Sequence, residues 1–286
     1  MNQPQVLILQ ATGTNRDPDT ARAVEQAGGQ PVILHVNELR ARPARLHDFQ
    51  MFILPGGFSY GDALGGGRLW AADLRWIFQT ELARFVEEGK PVLGICNGFQ
   101  ALVKSGWLPG PPPPGPLPRL ATGEGGTRIE KSLLNRATLT RNESNRFECR
   151  WVWLEPNPES PCVFTRGLLR AERIYCPVAH GEGRFIPCDD AELERLRANH
   201  QIALTYTRPD ACPERSRRGG PVAYPDNPNG SVADIAGVCN ERGNILGLMP
   251  HPEDHTIPWQ HPHWTREQGN LGLALFERGV RYAAEL

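Results

Sequence analysis

The sequence has no long apolar run, little net charge and no closely paired cysteines. No hydrophobic stretch approaches the ~18 residues that a membrane-spanning helix needs. Residues 6–9 begin an apolar strand at once, without the basic and apolar regions of a signal sequence. The formal net charge of −1 gives no strong electrostatic attraction to nucleic acid or to an anionic membrane. We therefore expect a cytoplasmic protein that binds neither.

Motifs for disulfides, zinc and nucleotides are also missing. The seven cysteines are an odd number, and no two of them form the Cys-x-x-Cys pair of zinc or redox sites. The chain has no Gly-x-x-x-x-Gly-Lys-Ser/Thr loop, which would cradle the phosphates of ATP. These absences predict reduced thiols, no disulfide framework and no nucleotide site of this kind.

Apolar runs alternate with amphipathic segments through the first hundred residues. Predicted strands cover residues 6–9, 31–36, 49–54 and 92–95, and predicted helices cover residues 18–27 and 69–88, with another helix from residue 99. This alternation is typical of an α/β fold in which an open, mostly parallel, doubly wound sheet carries helices on both faces. Ligands of such sheets bind beyond the carboxyl ends of the strands.

The second half of the chain contains shorter β segments and two unusual stretches. Predicted strands cover residues 148–154, 174–178, 184–186, 202–206, 232–238 and 245–249, with helices at 191–199 and 268–282. We interpret this part as a smaller β-rich section of a single domain that spans residues 1–286. Residues 109–127 are rich in proline and glycine, and residues 208–226 contain a run of charges; both are predicted to be exposed excursions.

Cys96 lies in the sequence Gly-Ile-Cys-Asn-Gly, between a short apolar strand and a helix. A Gly-x-Cys-x-Gly turn at this junction is typical of a nucleophile elbow, in which the central residue is strained and the glycines leave room for the backbone. The positive end of the helix that follows stabilises a negatively charged sulfur. Cys96 is therefore a candidate nucleophile, and the alternative is a buried cysteine in an ordinary strand-to-helix connection.

A cysteine nucleophile needs a base, and that base needs a third group to orient it. His251 and Glu253 follow the predicted strand at residues 245–249, in the sequence Pro-His-Pro-Glu. Extended backbone places residues i and i+2 on the same side, and the prolines stiffen it. We predict that Cys96, His251 and Glu253 form a catalytic triad. Taken alone, His251 would be interpreted as an exposed residue of a proline-rich turn.

Acyl chemistry also needs donors for the oxyanion of the tetrahedral intermediate. The N–H of Asn97 directly follows the nucleophile, and Gly56 and Gly57 can supply amides from the loop after the third strand. The alternative for the two glycines is an ordinary turn.

The remaining histidines are weaker candidates. His180, in the sequence His-Gly-Glu-Gly, could act as the base, but a role in the substrate pocket or in a turn is favoured because it lacks the proline frame of His251. Histidines at positions 255, 261 and 263 suggest a metal site, but their spacing matches no standard ligand set, so we predict none.

Six motifs together resemble the class I, triad-type glutamine amidotransferases, and within them the glutaminase subunits of phosphoribosylformylglycinamidine synthase. The motifs occur in the order of that family, at residues 55–62 (Pro-Gly-Gly-Phe-Ser-Tyr-Gly-Asp), 94–100, 142–148 (Asn-Glu-Ser-Asn-Arg-Phe-Glu), 177–183, 230–237 and 247–253. The cysteine elbow and Pro-His-Pro-Glu are typical of the class, and the other motifs are typical of its purine branch. The resemblance implies a flavodoxin-like fold.

The resemblance also implies a reaction and its partners. Cys96 would attack the side-chain amide of glutamine, and ammonia would pass to a formylglycinamidine ribonucleotide synthetase subunit, bridged by a small third subunit. ATP and Mg would bind that synthetase, so no cofactor is expected in this chain. The residues implied for the oxyanion and the substrate are Gly56, Gly57, Phe58, Asn97, Gln100 and His180.

The sequence departs from the family at two places. Arg16 stands where the family has a cysteine, and residues 64–68 are looser than usual. Two other hypotheses remain open at this point. The chain could serve a different ammonia acceptor, or it could be a non-catalytic regulatory module of the same fold.

Overall fold

The computed structural model describes residues 3–110, 136–208, 221–266 and 271–286. Its strands are β1 (Gln5–Gln10), β2 (Gln30–His35), β3 (Met51–Leu54), β4 (Val92–Ile95), β5 (Ala137–Thr140), β6 (Glu148–Pro156), β7 (Ile174–His180), β8 (Arg184–Pro187), β9 (Ile202–Thr207), β10 (Ile235–Cys239) and β11 (Ile245–Leu248). Its α-helices are α1 (Asp17–Gln26), α2 (Val36–Ala41), α3 (Arg68–Trp76), α4 (Gln79–Glu87), α5 (Asn97–Lys104), α6 (Asp190–Ala198) and α7 (Leu273–Ala284).

Nine of these strands form one sheet, in the order β2-β1-β3-β4-β11-β10-β9-β6-β7. The pairs from β2 to β11 are parallel, and those from β11 to β7 are antiparallel. Strands β5 and β8 form a separate antiparallel pair. The predicted α/β class is confirmed, and the β-rich section turns out to extend the parallel sheet instead of standing apart from it.

Helices pack on the sheet in two groups. Helices α1 and α7 contact each other, while α3 contacts α5, which lies against β3, β4 and β11. The four parallel strands β1, β3, β4 and β11 are almost completely buried, as expected for strands covered on both faces. Among the described residues, no helix combines the length and the apolar composition that crossing a membrane requires.

Two predicted elements differ from the structure. The predicted helix at residues 69–88 is two helices, because the backbone leaves α-helical geometry at Phe78 and the Phe78 ring turns into the core, where it is 2% exposed. The predicted strand at residues 232–238 begins only at Ile235. A short 3-10 turn precedes it, and Ala233 and Asp234 there have φ of 52° and 58°, outside the β region.

The two predicted excursions fall largely outside the described residues. Of the second one, residues 221–226 are described, and they are tied to the fold: the N–H of Val222 donates to the Asp234 carboxylate at 2.9 Å, and the Arg150 guanidinium lies 4.6 Å from the centre of the Tyr224 ring.

Helix α5 approaches the sheet unusually closely because glycines line its seat. Gly94 of β4 and Gly247 of β11 are paired in register. A Cβ built on Gly247 would lie 2.0 Å from the Phe99 ring, and one built on Gly94 would lie 2.5 Å from Cδ1 of Leu102. No side chain larger than hydrogen fits at either position. The helix that follows the predicted nucleophile is therefore held directly against two central strands.

We expect Gly247→Ala to lower the free energy of unfolding by about 1–3 kcal/mol, because the added methyl group overpacks the contact with Phe99. Thermal unfolding measured by circular dichroism tests this. Gly110→Ala is the matched control, since its methyl group would meet only the flexible side chain of Arg136, at 3.0 Å. Equal melting temperatures for the two variants would contradict the prediction.

Candidate active site

Cys96 occupies a strained position between β4 and α5. Its φ is 49° and its ψ is −101°, a conformation that side chains other than glycine rarely adopt. Its N–H donates to the carbonyl of Leu248 at 2.8 Å, which ties the turn to β11. A Cβ on Gly98 would lie 2.0 Å from the carbonyl oxygen of Leu54, so only glycine allows the helix to start here. This is the geometry of a nucleophile elbow.

The sulfur of Cys96 is shielded from solvent and lies at the positive end of α5. Cys96 is 5% exposed, and its Sγ lies 3.8 Å from the carbonyl oxygen of Ala179, on β7. The first residues of α5 have no preceding helical turn to accept their N–H groups. The sulfur therefore faces hydrogen-bond donors from one side and a strand end from the other.

His251 and Glu253 form a buried pair next to Cys96. Nδ1 of His251 and Oε1 of Glu253 are 2.7 Å apart, and each residue is 2% exposed. The N–H of His251 donates to the carbonyl of Pro177 at 2.8 Å, which anchors the pair to β7. The predicted contact is present, but the backbone that makes it is not extended as we expected. Pro252–Asp254 form a 3-10 turn, which brings the two side chains together by a different route.

The electrostatics of this pair suit a proton carrier. Burial opposes a charged imidazole, but Glu253 and Cys96 together outweigh burial and raise the pKa of His251 well above its usual range. The hydrogen bond to Glu253 occupies Nδ1, and no described residue is hydrogen-bonded to Nε2. Nε2 is therefore the ring nitrogen available to Cys96.

Gly56 and Gly57 border the triad. A Cβ on Gly56 would lie 2.6 Å from Cε1 of His251, so the bare backbone of Gly56 packs on the imidazole. Gly57 has a φ of 135° and forms an isolated bridge with Thr14. Phe58 donates its N–H to Gly13 at 2.9 Å, whereas no described residue accepts from the N–H of Gly57. This N–H suits the oxyanion role predicted for it.

The other predicted site residues fasten the loops around the elbow. The Asn97 side chain accepts from the N–H of Ser59 and donates to Asp62, both at 3.0 Å, and so holds the glycine loop. Gln100 accepts from Asn97 at 3.0 Å and donates to the carbonyl of Glu182 at 2.7 Å. Both ends of the Gln100 amide are thus already bonded within the protein, and its predicted contact with substrate stays a prediction. Phe58 is 45% exposed, beside Gly57.

His180 lies near His251 but has a different partner. Its Nδ1 is 3.1 Å from the amide oxygen of Asn142, and the same oxygen accepts from the N–H of Gly183. The His180 pKa is lowered to about 3, first by burial and then by the charge of His251. His180 is therefore neutral at working pH, which favours a role in the pocket over the role of base. Asn142 lies in one of the six motifs, but no pattern in the sequence predicted this contact.

A second anchor that the sequence did not reveal holds the glycine loop from behind. Asp73 of α3 is 4% exposed and accepts hydrogen bonds from the Tyr60 hydroxyl and the Arg40 guanidinium. Tyr60 and Asp62 have φ of 56° and 49°. Because such backbone is strained, it persists only where the surroundings hold it, and Asp73 supplies part of that restraint.

The histidines that follow the triad segment pack with aromatic rings. His255 donates from Nδ1 to the carbonyl of Tyr175, and its ring stands edge-on to Trp151, 5.1 Å between centres. The rings of Tyr175 and His261 are 4.9 Å apart. Within the described ranges, no group of three His, Cys, Asp or Glu residues could hold a metal ion.

Residues 3–283 match the family described as the CobB/CobQ-like glutamine amidotransferase domain. The chain is 46% identical, over 98% of its length and 99% of the relative's, to phosphoribosylformylglycinamidine synthase subunit PurQ of Treponema denticola. It is 42% identical over the full length of both chains to the PurQ subunit of Dehalococcoides mccartyi.

Solved structures agree with these relatives. A chain of the PurLQS structure from Thermotoga maritima matches with a TM-score of 0.68 and 30% identity, over 98% of this chain and 99% of that one. A GMP synthase chain from Thermoplasma acidophilum, with a TM-score of 0.53 and 13% identity over 100% of this chain and 96% of that one, shares the fold alone.

The depressed pKa of His180 predicts a dependence of stability on acid. The pKa is about 3 in the folded chain, against an ordinary value of 6.5. A buried neutral histidine contributes its full stability above the unfolded pKa and loses it as the pH falls from 6.5 towards 3. We expect His180→Asn to flatten the fall of the melting temperature between about pH 7 and about pH 4, as measured by calorimetry. Parallel curves for the variant and the natural chain would contradict this.

Proposed function

The chain belongs to the glutamine amidotransferase family, and from this membership we propose that it is the glutaminase subunit of a phosphoribosylformylglycinamidine synthase. In this proposal Cys96, His251 and Glu253 hydrolyse glutamine to glutamate and ammonia. The observation that carries the proposal is the buried His251–Glu253 bond of 2.7 Å next to a cysteine in a strained elbow. A cysteine, a base and an orienting carboxylate form the minimal set for acyl transfer.

The first chemical step forms a thioester. Nε2 of His251 takes the proton of the Cys96 thiol, and the sulfur attacks the side-chain carbonyl carbon of glutamine. The oxygen of that carbonyl gains negative charge, which the N–H groups of Gly57 and Asn97 stabilise. The His251 imidazolium then gives its proton to the departing ammonia. The enzyme is left with a γ-glutamyl group on Cys96.

Water completes the cycle in the second step. His251 removes a proton from water, the hydroxide attacks the thioester, and the thiol of Cys96 returns as glutamate leaves. Throughout, Glu253 keeps Nδ1 of the ring protonated and so fixes Nε2 as the nitrogen that exchanges protons. Placing both catalytic partners on one short turn fixes their relative positions before substrate binds.

Ammonia released at Cys96 passes to a synthetase partner. That subunit converts formylglycinamide ribonucleotide to formylglycinamidine ribonucleotide in purine synthesis, and a small third subunit bridges the two. ATP and Mg belong to the synthetase in this proposal, since the present chain has no phosphate-binding loop of the Gly-Lys-Ser/Thr type. A cytoplasmic location is part of the same proposal.

We expect Cys96→Ala to abolish synthesis that depends on glutamine but to spare synthesis from added ammonium, because only the release of ammonia needs the thiol. The assay follows formylglycinamidine ribonucleotide in the reconstituted complex with each nitrogen source. Cys149→Ala is the matched control, since Cys149 is an exposed free cysteine. Loss of both activities in Cys96→Ala would mean that Cys96 is structural, and retention of both would exclude it as the nucleophile.

A further inference from the structure

Arg16, which departs from the family pattern, lies directly behind the triad. Its Nη1 is 3.3 Å from Oδ1 of Asp254, a contact between residues 238 positions apart in the chain. Its side chain also crosses the glycine that packs on His251: a Cβ on Gly56 would lie 3.3 Å from Cγ of Arg16 and 2.6 Å from Cε1 of His251. One arginine therefore contacts both the glycine loop and the turn that carries His251 and Glu253.

Asp254 is a second carboxylate beside the catalytic pair. It follows Glu253 in the 3-10 turn, and its N–H donates to the carbonyl of His251 at 3.2 Å. Its side chain is 18% exposed, so an unpaired negative charge there would be costly. A movement of Asp254 would displace the backbone of His251 as well.

We propose that Arg16 is a positioning residue for the triad, which fastens the turn of His251 and Glu253 through an ion pair with Asp254. This inference deepens the proposed glutaminase function and rests on it. Arg16 touches neither the sulfur nor its proton path. It acts by holding Asp254 ionised and in place, so that His251 stays in register with Cys96. A thiol at position 16 could not replace this contact, because it has neither the reach nor the charge of a guanidinium.

The charges around Asp254 give the inference a measurable pH dependence. The charged or titratable groups that act on it, or on which it acts, are Glu253, His251, Arg16, Asp19 and Cys176. Burial and Glu253 raise the pKa of Asp254 to about 6, while His251 and Arg16 oppose that rise. Loss of Arg16 therefore raises this pKa further, so Asp254 takes up a proton at a higher pH and the fastening opens earlier on acidification.

The test compares Arg16→Met, Arg16→Lys, Asp254→Asn and the double variant Arg16→Met/Asp254→Asn in the complex with the synthetase. Glutamate release is measured from about pH 5 to about pH 9, a range that brackets the titration of Asp254. We expect Arg16→Met to lower kcat by about 10- to 100-fold, the scale of a catalytic group displaced by about 1 Å. Its acidic limb should move to higher pH, and Arg16→Lys should restore much of both. The double variant should match Asp254→Asn alone.

Arg22→Met is the matched control. Arg22 lies on α1, which begins directly after Arg16, and it approaches Asp19 at 3.5 Å with 54% of its side chain exposed. Its replacement should leave kcat and the acidic limb unchanged. A normal kcat and acidic limb in Arg16→Met would overturn the proposal. So would a fall in melting temperature with an unmoved limb, or additive effects in the double variant.

A second measurement separates this inference from the proposed function. Alkylation of Cys96 by iodoacetamide, followed by peptide mass mapping of the full chain across the same pH range, reports the nucleophile without glutamine. Arg16→Met should shift the pH profile of Cys96 but not that of the exposed Cys149. If the natural chain released no glutamate, the glutaminase proposal would fail, while an Arg16-dependent shift at Cys96 would still support the positioning role. Identical Cys96 profiles would overturn it.

Discussion

The close contact between α5 and the two central strands is the constraint on which the site depends. Gly94, Gly98 and Gly247 remove every side chain from this contact, and β4 must then turn sharply into the helix at Cys96. The positive φ of Cys96 costs on the order of 1–3 kcal/mol, and the packing of the helix holds it. A larger residue at any of the three glycines would move the sulfur relative to His251, so the core and the chemistry are fixed by the same contact.

Two neighbouring buried histidines differ in charge because their partners differ. His251 faces the carboxylate of Glu253, which favours its imidazolium, whereas His180 faces the neutral amide of Asn142. Burial penalises both charged forms, and only the carboxylate compensates for it. The charge on His251 then makes a second charge on His180 still less favourable. The site thus separates one titrating imidazole from one neutral imidazole with a single change of partner, from carboxylate to amide.

Polar side chains from outside the triad hold its loops together. Asn97 and Gln100 link α5 to the glycine loop and to the turn after β7, and Asp73 restrains the strained backbone of Tyr60 from α3. These groups are buried, so each hydrogen bond also satisfies a polar atom that would otherwise be costly. Function here rests on loops that are short of regular structure but rich in specific bonds.

The sequence alone determined the class of fold, the elbow and the Cys96, His251 and Glu253 candidates, because periodicity and short motifs are local properties of the chain. It could not show the break between α3 and α4, where core packing of Phe78 overrides helical spacing. Nor could it show that the Gln100 amide is bonded at both ends, that Asn142 clamps His180, or that Arg16 meets Asp254. These are contacts between residues far apart in the chain, and only the folded backbone decides which distant side chains become neighbours.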